Sequence, residues 1–442
     1  MLLVSGYHNS KFIIHNSKLS PICAISTAPG VGGIAIIRLS GDDILAILHP
    51  AIPETASLEL QPRRATYVRS ALDDMVLTFY PAPHSYTGED VLELACHGST
   101  YIQQELLHRL IDAGARLAEP GEFTRRAFLA GKLDLTEAEA VADLIASSSR
   151  AEQELALRQL RGGISTELSQ LRDQLLEMTS LLELELDFSD HEELEFADRT
   201  KLLALLDTID THITTLMNSF RAGNAIRNGI AVAIVGPTNA GKSTLLNAIL
   251  GYERAIVSDI AGTTRDTVEE SLILDGLRYR FIDTAGLRNT TDPIESLGIH
   301  RTHEAAAAAD IVIAIDCTPS DIPTEKVIAV HNKSDISTLP DILNICAKSG
   351  DIASLITELT RRGKQLTEHS GNILISNARH YEALRQASVG IARVRVSMEQ
   401  GLSGELVAED LRAVLEPIGS ITGQYTSDEV LGNIFSKFCI GK

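Results

Sequence analysis

The chain has 442 residues, 44% of them hydrophobic and 22% charged, with a formal net charge of −20. That length predicts about two to four domains. The acidity excludes a general nucleic-acid binder, because neutralising phosphates takes clustered Lys and Arg. Tryptophan is absent and aromatics make up 4%, so the cores must be aliphatic. Five scattered cysteines with no C-x-x-C pair speak against a disulfide framework or a zinc site and for a reducing cytosol.

In chain order, the N-terminal "MLLVSGYHNSKFIIHNSK" has only short, interrupted apolar runs, which predicts neither a signal peptide nor a membrane span. Residues 22–133 read as mixed α/β: "IAIIRLSG" and "DVLELACHG" are strand-like, and "TYIQQELLHRLIDAG" is an amphipathic helix ending at Gly114. "GVGGIA" fits a dinucleotide fingerprint formally but leads into a strand, so it is rejected. Cys96 beside His97 reads as a buried thiol rather than a catalyst. Residues 134–227 read as long helices opened by a Thr136/Glu139 capping box. Two stripes, Ile164 to Leu182 and Leu202 to Phe220, alternate spacings of three and four and predict an antiparallel helix pair. The polar "DFSDHEELEFADRT" between them, including His191, reads as a solvated connection rather than a metal site. From Gly229 to about 370 strands alternate with helices; a further stripe, Leu384 to Met398, and a Thr426/Glu429 capping box then mark returning helices. An α/β domain flanked by helices on both sides predicts a domain insertion.

"AVAIVGPTNAGKSTLLNAIL" sets a strand before Gly236-x-x-x-x-Gly241-Lys242-Ser243 and a helix after it, the P-loop pattern in its required context. Asn239, Ala240, Gly241, Lys242, Ser243 and Thr244 are the expected phosphate contacts, with the Ser243 hydroxyl placed for Mg²⁺. "FIDTAG" puts Asp283 at a strand end, suited to hold Mg²⁺ through water, with Thr284 and Ala285 leading to Gly286, whose N–H is available to the γ-phosphate. "HNKSD" places Asn332, Lys333 and Asp335 after another strand. The Asp335 carboxylate would accept both the ring N–H and the exocyclic amine of guanine, a donor pair that adenine lacks. "CAKSG" supplies Cys346, Ala347 and Lys348 to the base-contact loop. These elements predict a GTPase rather than an ATPase. Leu287 follows the D-x-x-G element where Ras-like enzymes carry the water-orienting Gln, so water and transition-state charge need another arrangement. The connection "CTPSDIPTEK" between two parallel strands is too short for an ordinary crossover helix, which is therefore short or missing.

"TAPGVGGIAIIRLSG", "SYTGEDVLEL", "PGEFTRRAFLAGKLDLTEAEAVADLI", "SDIAGTTRD", "DTAGLR" and the terminal "FCIGK" together resemble the MnmE (TrmE) family of tRNA-modification GTPases from about residue 22 to the end. The resemblance implies a multidomain α/β plus α fold. Its parts are a mixed α/β N-terminal folate-binding and dimerising domain (16–133), a helical bundle domain (134–227 and 371–442) and an inserted Ras-like P-loop G domain (228–370). It implies a potassium-dependent GTPase acting as a homodimer, with Asn239, Ser258, Ile260 and Thr263 holding K⁺ and Thr264 joining Ser243 on Mg²⁺. Glu295 would orient water. Arg38, Glu93, Lys132 and Lys442 would bind a tetrahydrofolate derivative, 5-formyl- or methylene-tetrahydrofolate. It also implies a cytoplasmic heterotetramer with an MnmG (GidA)-type flavoprotein carrying FAD and NADH, which installs an aminomethyl or carboxymethylaminomethyl group at C5 of the tRNA wobble uridine.

Cys439, fourth from the end, has the position of a prenyl acceptor. Gly441 and Lys442 are atypical of that signal, and no polybasic segment precedes it, so no membrane association is expected. The resemblance instead makes Cys439 a free thiol needed for modification. The alternative is a ribosome-assembly or other RNA-associated switch GTPase sharing the G domain; it leaves the N-terminal region and the terminal cysteine unexplained.

Overall fold

A computed structural model describes residues 20–187, 199–252, 256–257, 270–282, 304–368 and 373–441. By contacts the chain divides into two units: residues 1–139 with 425–442, and residues 140–424.

The first unit is built on a six-stranded sheet, order β3-β4-β5-β2-β1-β6. The strands are β1 (Ile22–Ile25), β2 (Gly32–Gly41), β3 (Ala65–Arg69), β4 (Asp74–Tyr80), β5 (Asp90–Gly98) and β6 (Arg116–Leu117). Side chains alternate across a strand, and the middle of β2, β4 and β5 follows that alternation. Ile37, Leu39, Leu77, Leu92 and Leu94 are fully buried and join one core with residues of the Ile44–Ala51 and Thr100–Asp112 helices. The other face carries the row Arg38, Glu93, Thr78 and the row Ile36, Ala95, Val76, Tyr67, set by strand register. "GVGGIA" indeed runs into a strand, and Cys96 is buried, with its thiol pushed up to about 11 chiefly by burial.

Two helix starts differ from the sequence reading. The capping residue before Leu135–Ala146 is Asp134, not Thr136: its carboxylate accepts the Glu137 N–H at 2.9 Å, and the Asp134 N–H donates to the Glu137 carboxylate at 2.9 Å. Asp outranks Thr as a cap and carries the helix two residues earlier. Likewise Ser427, not Thr426, caps Asp428–Phe435, accepting from the Val430 N–H. That last helix belongs to the first unit rather than to the helical bundle. Gly121, at the start of the Glu122–Leu129 helix, accommodates it: a Cβ there would lie 2.8 Å from the Phe435 carbonyl oxygen.

In the second unit, helices from either side of the 230–367 segment share one core. The stripe of Gly163–Asp187 (Ile164, Leu168, Leu171, Leu175, Met178, Leu182) and that of Arg199–Asn218 (Leu202, Leu206, Ile209, Ile213, Leu216) are buried. They do not form mainly a pair with one another. The first packs chiefly on Gly404–Thr422 and the second on Ala378–Glu399, while these two later helices pack on each other. An apolar stripe specifies that a face is buried but not which partner covers it. Residues 188–198, including His191, lie outside the described residues.

The remaining strands form a seven-stranded sheet, order β13-β12-β11-β7-β10-β9-β8. They are β7 (Ile230–Val235), β8 (Ile256–Val257), β9 (Glu270–Leu274), β10 (Leu277–Phe281), β11 (Ile311–Ile315), β12 (Val327–Asn332) and β13 (Leu343–Ile345). β7 is central and parallel to β10 and β11, and it reads as a continuous apolar run because both its faces are covered. The β11–β12 crossover holds only the 3₁₀ turn Thr324–Lys326, as its length required. Buried Ile322 takes part in the core on that face.

Candidate functional site

The P-loop leaves β7 at Gly236 and enters the helix Lys242–Leu250. Gly241 has φ +92, and a Cβ there would lie 2.4 Å from the Asn332 amide nitrogen, so only glycine fits. Asn239 takes φ +64, a left-handed conformation that Asn tolerates. Lys242 Nζ donates to the Gly236 and Pro237 carbonyls at 2.9 Å each, and burial lowers its pKa. The ammonium is therefore held over the loop, where a phosphate oxygen could replace a carbonyl partner. Ser243 is half-buried at the first turn, and Thr244 is exposed.

The guanine-side loops are bonded directly to the P-loop. Asn332 is buried; its amide donates to the Ala240 carbonyl at 2.8 Å and accepts the Ala347 N–H at 3.1 Å. Lys333 Nζ donates to the Asn239 carbonyl at 3.2 Å. Cys346 donates through Sγ to Asp335 Oδ1 at 3.4 Å. Asp335 is otherwise exposed, and so is Lys348. The "NKSD" and "CAK" residues thus converge on the P-loop, with a carboxylate facing outward. Ser258, Ile260, Thr263, Thr264, Asp283, Thr284, Ala285, Gly286 and Glu295 lie outside the described residues.

A second cluster lies on the first unit's sheet. Arg38 and Glu93 are cross-strand partners; both Arg38 bonds, 3.2 and 2.8 Å, fall on Glu93 Oε1. The guanidinium also sits over the rings of Tyr86 (5.3 Å) and Phe123 (5.6 Å), a cation–π contact that the sequence reading missed. Tyr86 lies in the quoted "SYTGED", and its only signal there was an aromatic in a turn. Lys132 donates to the Pro83 carbonyl, and its chain passes the Gly88 position. The 83–88 loop therefore lies between Lys132 and Arg38.

A buried network fixes that loop. Glu89 accepts from Ser40 at 2.9 Å and from Arg126 at 3.0 and 2.9 Å. Arg126 also pairs with Glu122 at 2.9 Å, which Arg116 contacts from the other side. Burial alone would raise the Glu122 pKa, but Arg116, the Glu119 N–H and Arg126 outweigh it and bring the carboxyl down to about 2.

The chain end reaches the same unit. The Gly121 N–H donates to the Cys439 carbonyl at 3.4 Å, and the Ser26 hydroxyl to the Gly441 carbonyl at 3.1 Å. Gly441 has φ +97, and a Cβ there would lie 2.3 Å from the Ile25 carbonyl oxygen. Cys439 is an exposed free thiol. Lys442 lies outside the described residues. Among the described residues no cluster of three His, Cys, Asp or Glu could hold a metal, and no helix is long and apolar enough to cross a membrane.

A family model described as the MnmE helical domain matches residues 135–439, and one described as the GTP-binding protein TrmE N-terminus matches residues 21–132. A tRNA modification GTPase MnmE of Parabacteroides distasonis is 49% identical, covering 96% of this chain and 100% of that one. The protein of the same name from Porphyromonas gingivalis is 46% identical over 97% and 100%. Among solved structures, the G domain of the T. maritima FeoB iron transporter is 21% identical over 31% of this chain and 99% of that one, at a TM-score of 0.22. The chain is a GTP-hydrolysing member of the tRNA modification GTPase MnmE family.

Proposed function

We propose that the chain couples GTP hydrolysis to modification of C5 of the tRNA wobble uridine, together with an MnmG-type flavoprotein that contributes FAD and NADH. The observation that carries this reading is the seating of Cys439–Gly441 on the sheet unit that holds Arg38, Glu93 and Lys132. A switch GTPase of ribosome assembly has no use for that arrangement.

On the nucleotide side, Asp335 selects guanine and Asn332 fixes the base loop to the P-loop. Lys242 and the P-loop N–H groups take the phosphates. Ser243 and Thr264 would hold Mg²⁺, and Asn239 with Ser258, Ile260 and Thr263 would hold K⁺; hydroxyl, amide and carbonyl oxygens are the donors such hard cations take. When bound, these cations supply fixed positive charge against the transferring phosphoryl group. Asp283 would hold Mg²⁺ through water, the Gly286 N–H after Thr284 and Ala285 would take the γ-phosphate, and Glu295 would orient the water in place of the missing Gln.

On the one-carbon side, Arg38, Lys132 and Lys442 attract the anionic tail of a tetrahydrofolate derivative. Glu93 accepts from pterin N–H groups through Oε2, since Arg38 occupies Oε1. Cys439 acts as the exposed thiol of the modification. Homodimerisation would cover the sheet face where Ile34, Tyr67 and Val76 are exposed. The partnered assembly acts on tRNA in the cytoplasm, with domain boundaries near 133, 227 and 370 and the segment from 425 returning to the first unit.

Two assays test the proposal. GTP turnover should be much faster in K⁺ than in Na⁺; equal rates would remove the potassium arrangement. In a reconstituted mixture of chain, flavoprotein, NADH, methylene-tetrahydrofolate, GTP and unmodified tRNA, the wobble nucleoside should gain its C5 group. No product with an active flavoprotein would overturn the coupling.

A further inference from the structure

We infer that His331 is a positioning residue for guanine recognition: its ring ties Ser337, the far end of the turn that presents Asp335, to Asp316 at the end of β11. This rests on the assignment of Asp335 to guanine above.

β12 ends at Asn332, and the chain leaves it through Lys333 at φ +65, a strained conformation for a residue with a side chain. The Lys333 carbonyl then accepts from the Ile336 and Ser337 N–H groups at 2.9 and 3.3 Å, and the Ser334 N–H donates to the Ile345 carbonyl at 3.0 Å. The start and middle of the turn are thereby fixed to the sheet. Its far end, Ser337, is exposed and is held by His331; beyond it Leu339 exchanges two 2.8 Å bonds with Asn344 of β13, so the ring fixes the stretch between Ser334 and Leu339.

Nδ1 of His331 lies 2.5 Å from Asp316 Oδ1, so it carries the proton donated to that carboxylate. In that tautomer Nε2 is the acceptor and takes the Ser337 hydroxyl proton at 2.9 Å. Asp316 immediately follows β11, takes φ +50, and donates its own N–H to the Val330 carbonyl at 2.9 Å. One ring thus joins the end of β11, the end of β12 and the end of the Asp335 turn.

A serine, histidine and carboxylate in series is also the arrangement of an activated nucleophile. Here the Ser337 N–H, a natural donor to a developing oxyanion, is already bonded to the Lys333 carbonyl. The series therefore ties a turn. Without it the turn samples more conformations, and only the fraction with Asp335 correctly presented binds the base.

The test uses the full-length chain and dissociation of a fluorescent GDP analogue. His331→Ala and Asp316→Asn should each release nucleotide about tenfold faster, the scale of one or two lost hydrogen bonds. Ser337→Ala should lose less, and Ser337→Thr, which keeps the hydroxyl, should stay near the parent rate. The His331→Ala/Asp316→Asn double variant should be no worse than the worse single, because both remove the same clamp. For hydrolysis, KM for GTP should rise while kcat changes less than about twofold, as expected when uniform binding is lost. If His331→Ala disturbs folding by circular dichroism, His331→Phe fills the ring's space without its nitrogens and decides the matter. Asp335→Asn, tested for GDP against xanthosine diphosphate, separates the two ideas. Retained guanine preference in that variant overturns the base assignment and the clamp with it. A switch to xanthine, with parent-rate GDP release from His331→Ala and His331→Phe, overturns the clamp alone.

Discussion

The nucleotide site and the Arg38–Glu93 cluster are built in opposite ways. The first is made of short motifs whose residues lie within one or two turns of each other, and a single amide, Asn332, links the P-loop to the last of them. The second draws Ser26, Arg38, Glu93, Gly121 and Gly441 from both ends of the chain, with Ser26 and Gly441 separated by 415 positions. Local sequence can specify the first kind of site. The second exists only once two distant segments have docked, so it is easier to break from afar.

The largest expected effect lies in the nucleotide site. Lys242→Ala should lower GTP turnover by about a hundredfold or more, as loss of a fixed charge at a transferring phosphoryl group does; steady-state phosphate release measures it. Next is the opposite site: Gly441→Val places a side chain against the Ile25 carbonyl. It should abolish tRNA modification in the reconstituted mixture while GTP turnover persists. Loss of both activities together would mean that the two regions are not separable in this way. Cys439→Ser should give the same split without undocking the tail, and full modification by that variant would reduce the thiol to a packing role.

A stability effect follows in size. Glu122→Gln leaves Arg126 short of a buried partner and should cost about 3 kcal/mol, the scale of a broken buried pair, read by denaturant unfolding of the first unit's transition. The sign with pH follows from the same residue. Its folded pKa of about 2 lies below the ordinary 4.5, so its stabilisation is complete above about 4.5 and disappears as pH falls toward 2. The smallest expected effect is Cys346→Ser. A hydroxyl can donate to Asp335 as the thiol does, so nucleotide affinity should stay within about threefold, less than one hydrogen bond's worth.

The same contrast explains what was legible in the sequence. The P-loop, "HNKSD" and "CAK" were readable because glycine, lysine and carboxylate positions have fixed local duties. The short β11–β12 connection was readable from its length alone. The stripes from Ile164 and Leu202 announced buried faces, but their partners come from residues 378–422, which no local period identifies. The Asp134 cap was masked by a competing Thr136/Glu139 pattern two residues on. Tyr86 beneath Arg38 and the docking of Gly441 gave no periodic or spacing signal, because both are contacts between remote segments.

The most direct test of the central claim is nucleoside mass spectrometry of tRNA from a strain lacking this chain. The account predicts loss of the C5 modification from wobble uridines, restored by the intact chain and not by the Gly441→Val variant. Unchanged wobble uridines in the deletion strain would contradict it.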